Sequence, residues 1–226
     1  MDSFQLVLLL SERKRDMSKI ILIRREKYYR GNNMCKKFIT EIRKKNNDVN
    51  NMPTITKEIL KYFGVSKECT EIPIVDMINK IGIKIYQSEL EPQGLSGYIA
   101  VNPQYAETFG SNKITCVHIS DSSGHKRFTL AHELAHYIFD FQEDKDLCYY
   151  NTYFPTKQQE TLQEERANKF AANLLMPKEI FIEVYHKYEH MQSKVDIVNE
   201  ISKVFIVSPT AVIKRFDELG INGFSY

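Results

Sequence analysis

The residues best placed to do chemistry are His132-Glu133-Leu134-Ala135-His136. The segment around them has helical periodicity. On a helix, positions four apart lie only about 40° apart around the axis, so both imidazoles leave one face, one turn apart. That spacing suits two nitrogens on one zinc ion. Glu133 lies about 100° around from His132, where it can flank a metal without ligating it. On ordinary composition a chance run of this pattern in a chain of 226 residues is roughly a one-in-a-hundred event.

Two histidines need a third protein ligand if a zinc ion is to keep one open position. Gln163-Glu164-Glu165-Arg166-Ala167-Asn168, about 27 residues downstream, offers it on a second strongly patterned helix. Glu164 is favoured over its neighbour Glu165 on two grounds. It leaves the small Ala167 one turn later, where two helices can approach closely. It also puts Asn168 four residues on, on the same face, able to hydrogen-bond the free ring nitrogen of a ligating histidine. A rival motif, His186-Lys187-Tyr188-Glu189-His190, has the inverted order. The apolar residues of its helix, Phe181, Val184, Tyr185 and Tyr188, leave both histidines toward the polar side, and the expectation there is a solvated face.

The elements that must position these groups are legible in outline. Arg127 to Phe141 is a helix with Phe128, Ala131, Leu134, Ala135 and Ile138 on its apolar stripe. Gln159 to Met176 is another, with Leu162, Phe170, Ala171, Leu174 and Leu175 as core positions and Pro177 ending it. Helices are expected at 178–191, 194–205 and 209–219, with Ser208-Pro209 as cap and first helical residue. Upstream, Thr54–Phe63 and Pro73–Ile81 read as helices closed by Gly64 and Gly82. Residues 83–86, 98–101 and 114–119 read as strands, with a turn at Gly94-Leu95-Ser96-Gly97 and a loop from Ser120 to His125.

Apolar residues make up 42% of the chain and charged residues 27%, ordinary for a globular protein, and the net charge of +2 gives no global argument for nucleic acid. Residues 1–50 carry an excess of seven positive charges over a mildly acidic remainder. They are expected to be a basic N-terminal extension, ending in a polar linker at 44–51. The division expected is 1–50 extension, 51–177 metal-binding domain, 178–226 C-terminal helical region. Cys35, Cys69, Cys116 and Cys148 show no Cys-x-x-Cys spacing and read as free thiols of a reducing compartment. The apolar run Leu6–Leu10 is too short to span a bilayer, and basic residues follow it rather than precede it, so the expectation is a cytoplasmic protein with no membrane partner.

Phe128-Thr129-Leu130-Ala131-His132-Glu133-Leu134-Ala135-His136, followed by Glu164-x-x-Ala167-Asn168-x-Phe170-Ala171-Ala172-x-Leu174-Leu175-Met176-Pro177, strongly resembles the ImmA/IrrE family of metallopeptidases. Leu95-Ser96-Gly97-Tyr98-Ile99 and Val207-Ser208-x-x-Ala211-Val212-x-x-Arg215-x-x-x-Leu219-Gly220 are similar to that family too, so the likeness covers about residues 54–222. The resemblance implies an α+β fold: a small gluzincin-like domain with a short twisted sheet packed on the two ligand helices, followed by a helix-turn-helix-like element. It implies His132, His136 and Glu164 as zinc ligands and Glu133 as catalytic acid/base. It also implies a protein substrate, a phage-repressor-like transcription factor cut at one site. One departure stands out. Family members often carry a second acid just before the Ala-Asn pair, where this chain has Arg166, and Glu165 is the alternative register.

The chemistry expected is hydrolysis of a peptide bond, with Glu133 moving the proton and a further donor, His125 or Tyr98, at the oxyanion. Two other functions stand beside it. One is a DNA-binding or repressor-sequestering regulator, acting through the basic arm and the C-terminal helix pair around Ser208. The other is a zinc-holding interaction module without turnover, against which the intact Glu133 counts.

Overall fold

A computed structural model describes residues 21–22, 33–45, 48–90, 94–103, 105–141, 147–152, 162–221 and 223–224. The Leu6–Leu10 run and most of the basic extension lie outside these residues, as do Cys148's side chain and positions 159–161 of the second motif helix.

Among the described residues, five strands form one sheet. They are β1 (Ile21–Leu22), β2 (Lys84–Ser88), β3 (Leu95–Val101), β4 (Lys113–His118) and β5 (Leu147–Thr152), in the order β1-β2-β4-β3-β5. The β2–β4 pair is parallel and the others antiparallel, with Ile99 opposite Thr115 on β4 and Tyr149 on β5. The helices are α1 (Asn33–Arg43), α2 (Met52–Tyr62), α3 (Ile74–Ile81), α4 (Tyr105–Phe109), α5 (Ser123–Phe139), α6 (Leu162–Leu175), α7 (Lys178–Tyr188), α8 (Lys194–Phe205) and α9 (Pro209–Glu218). The architecture is mixed α+β, and no helix among the described residues is long and apolar enough to cross a membrane.

Period-2 alternation divides β3 between two cores. Ile99 and Val101 join the large cluster with α5 and the other helices, while Tyr98 and Ala100 join a small cluster with Cys116, Tyr105 and Leu90. Of the turn expected at 94–97, only Gly94, at φ 95°, lies outside a strand; Leu95 to Gly97 already belong to β3. Gly97 serves close approach instead. A Cβ there would stand 2.4 Å from Thr129 Cγ2 of α5 and 2.8 Å from the Cys116 carbonyl oxygen. Helix α5 therefore lies directly on β3.

Helix α5 starts four residues earlier than its apolar stripe suggests, because the Ser122 hydroxyl accepts from the His125 amide and caps it. Its first turn is held by the C-terminal region. A Cβ on Gly124 would lie 2.7 Å from the Val207 carbonyl carbon, and the Arg127 guanidinium donates to the Ile206 and Ile72 carbonyls. Ile206 sits at φ 51°, a left-handed conformation unusual for a β-branched residue, between α8 and α9. The far end of α6 is held by α9, whose buried Arg215 donates to the Met176 carbonyl and to Asn173 Oδ1 and pairs with Glu218.

Two readings of the sequence change here. Within the stretch expected as a basic extension, α1 buries Cys35, Ile39 and Ile42 in the main core, and Arg43 donates to the Tyr137 and Ile138 carbonyls at the end of α5. Its apolar spacing was visible but diluted by five Lys/Arg residues between 36 and 45. Leu162, expected in the core, is 78% exposed: it opens α6 on the outer face, as does the exposed Glu165.

Candidate metal centre

The two histidines of α5 and Glu164 of α6 come together, and Ala167, one turn after Glu164, is buried. One carboxylate oxygen of Glu164 is 3.2 Å from His132 Nε2 and the other 3.4 Å from His136 Nε2. The two Nε2 atoms are 3.0 Å apart, and one ligand atom from each of the three residues falls within 4.8 Å of the others. Both histidines are buried, and Glu164 is half-buried, so the centre opens to solvent on the α6 side. Glu165 points outward, which decides the register in favour of Glu164 as the residue facing the imidazoles.

The remote ring nitrogens are both occupied. His132 Nδ1 is 3.0 Å from Asn168 Oδ1, and His136 Nδ1 is 2.8 Å from Asp140 Oδ2. Acceptor oxygens at both Nδ1 atoms put the protons there and turn the Nε2 lone pairs toward each other and toward a carboxylate. Such a group of inward lone pairs is stable only with positive charge between them. Burial disfavours that charge on His136, yet Asp140 and Glu164 push its pKa up to about 9. Burial likewise disfavours ionisation of Glu164, and the two imidazoles hold its carboxyl well below the usual range. The donor set of two imidazoles and one carboxylate, with a solvent-facing side left open, fits a divalent metal of the catalytic kind.

Glu133 completes the site. It is fully buried, and among the described residues neither carboxylate oxygen has a hydrogen-bond partner. Burial pushes its pKa up to about 8; His136 lowers it, the Glu164 charge adds to the rise, and the Ile99 backbone amide lowers it without closing a hydrogen bond. An unpaired buried carboxylate costs folding free energy and is retained where it has work to do on a ligand.

Of the other candidates, Tyr98 packs into the small cluster on the opposite face of the sheet from α5. His125 is 3.1 Å from Ser96 Oγ and 3.5 Å from Asp121 Oδ2. It lies eight residues before Glu133, about 12 Å along the helix axis. The inverted motif is an exposed pair: His186 Nδ1 contacts Glu189 Oε2 at 3.0 Å, His190 is exposed, and no metal-competent group forms there among the described residues. The sequence reading missed Asp140, although its place one turn after His136 was the available clue. It also missed the ion pair from Arg166 to Asp140 Oδ1.

No curated protein matches the chain. Among solved structures, a Mycobacterium tuberculosis transcriptional regulator is similar at a TM-score of 0.46 and 15% identity, over 81% of this chain and 51% of that one. The chain thus spans about half the length of that regulator. The profile of the IrrE N-terminal-like domain matches residues 78–217, which takes in α5, α6 and every residue of the metal centre, and by that match the chain belongs to the Peptidase M78 family.

Proposed function

We propose that this protein is a zinc-dependent endopeptidase that cuts a phage-repressor-like transcription factor at one site and so relieves repression in the cytoplasm. The observation that carries the reading is the meeting of His132, His136 and Glu164 beside a buried carboxylate, Glu133, that no group among the described residues satisfies. The family points to a peptidase. The packing of a short sheet on the two ligand helices supports a gluzincin-like arrangement.

Bound by those three residues, a zinc ion supplies Lewis-acid activation of water and of a peptide carbonyl. The rest falls to the chain. His132 and His136 are held in the ligating tautomer by Asn168 and Asp140. Glu133 takes the proton at a carboxylate oxygen and returns it to the leaving amine. A carboxylate whose pKa is raised toward neutrality suits both halves of that task. Its burial keeps bulk water from competing for the proton.

The second reading, DNA binding through a helix-turn-helix formed by α8 and α9, has less behind it. The tight 206–208 turn has suitable length, but α9 exposes Thr210, Lys214, Asp217 and Glu218, and its Arg215 is buried in the clamp on α6. A helix so poor in free cations is badly matched to a phosphate backbone.

The test is co-expression of the chain with the repressor-like protein encoded nearest to it, followed by mass mapping of fragments. Wild type is expected to give one pair of fragments. Glu133→Gln is expected to give none while still binding zinc at one equivalent. Fragments persisting with Glu133→Gln would refute the role assigned to that carboxylate.

A further inference from the structure

We propose that Arg166 is a positioning residue of the metal centre: through Asp140 it locks the helix carrying both histidines to the helix carrying the carboxylate ligand. The inference rests on the reading of His132, His136 and Glu164 as metal ligands.

The face of α6 turned to α5 has two flanks, with the buried Ala167 between them. On one flank stand Glu164 and Asn168, four apart, facing the imidazoles. On the other stand Gln163 and Arg166, three apart, facing Asp140. Asp140 is the C-cap of α5, one turn beyond His136. Its Oδ2 accepts from His136 Nδ1 at 2.8 Å, and its Oδ1 accepts from Arg166 and, at 3.4 Å, from Gln163 Nε2. The Asp140 side chain is only 4% exposed, so both oxygens must be satisfied by protein. The imidazole satisfies one, and the guanidinium the other.

Arg166 is itself confined. Its guanidinium lies 5.1 Å from the Phe139 ring centroid, and that ring meets Phe170 of α6 edge-on at 5.6 Å. It is therefore a walled ion pair and not a solvated surface one.

The two flanks grip α5 on either side of the crossing, Asn168 at His132 and Arg166 beyond His136. That arrangement resists rolling of α6 about its own axis. At a side-chain radius of about 5–6 Å, a roll of about 20° carries the Glu164 carboxylate about 2 Å. Ligand distances in a metal site tolerate about 0.2 Å.

The experiment measures zinc affinity of the full chain by competition with a chromophoric chelator, and the visible spectrum of the cobalt(II) form. It compares wild type, Arg166→Lys, Arg166→Met, Asp140→Asn and the double variant Asp140→Asn/Arg166→Met. Each single variant is expected to weaken zinc binding about 10- to 100-fold and to change the cobalt spectrum. The double variant is expected to be no worse than the weaker single, since the two residues act as one chain of contacts. Arg166→Lys keeps the charge and loses the fork, so it separates positioning from electrostatics and guards against a variant that fails to fold. Wild-type affinity and spectrum in Arg166→Lys, tighter binding in Arg166→Met, or additive losses in the double variant would each overturn the proposal. Zinc binding that survives His132→Ala in the parent chain would instead overturn the ligand assignment, and this inference with it.

Discussion

Replacing Gly97 with alanine tests whether the seat of the active helix depends on one missing side chain. The added Cβ would stand 2.4 Å from Thr129 Cγ2 and 2.8 Å from the Cys116 carbonyl oxygen. Ordinary carbon contacts lie near 3.5–4.0 Å, so α5 must lift from β3 by about 1 Å or the strand pair must give. Overpacking of this kind costs about 1–3 kcal/mol. At about 2–4 °C per kcal/mol for a domain of this size, the melting temperature is expected to fall by several degrees. Glu133 projects from the same face of α5 one turn after Thr129, against Ile99, so the lift also shifts the proposed base. A misplacement of about 1 Å is worth roughly a hundredfold in rate. The double variant Gly97→Ala/Thr129→Ser removes the closest of the two contacts and leaves the one with Cys116. It is expected to recover part of the loss in both calorimetry and cleavage. A Gly97→Ala protein as stable and as active as wild type would refute the claim that close approach sets the helix position, as would a double variant worse than the single one.

Two further perturbations follow from buried charge. Burial pushes the Cys116 thiol up to about 12, against the smaller opposing effects of Tyr98 and the Val117 backbone. The folded thiol keeps its proton where the unfolded one, near 9, loses it, so stability is complete below about pH 9 and falls by about 1.4 kcal/mol per pH unit above it, until about pH 12. Urea unfolding of wild type and Cys116→Ala between pH 8 and pH 10.5 is expected to show the extra slope only in wild type. Arg215→Met leaves the Met176 carbonyl and Asn173 Oδ1 without their donor and Glu218 without its ion pair. The expected loss is about 3 kcal/mol in denaturant unfolding, at the low end for a broken buried pair because Glu218 stays partly hydrated. A loss below about 1 kcal/mol would show that the clamp contributes little.

The candidate metal centre was legible in the sequence because it is written in short range. His132, Glu133 and His136 sit on one continuous helix, and 3.6 residues per turn fixes their mutual directions before any folding. Glu164 and Asn168 obey the same rule on a second helix, and both face the imidazoles as their spacing required. The later helices declared themselves through Ser and Pro at their starts, as at Ser208 and Pro209.

What tertiary structure alone decided is which groups meet across that local geometry. No spacing rule ties Arg166 to Asp140, Arg127 to the Ile206 carbonyl, or Arg43 to the end of α5, since each joins segments whose separation is set by packing. Tyr98 and Ile99 are adjacent in sequence and lie on opposite faces of the sheet. Only the seating of α5 on one of those faces made Ile99 a neighbour of Glu133 and Tyr98 a core residue. Local rules fix where a side chain points on its own element; long-range burial fixes what it points at.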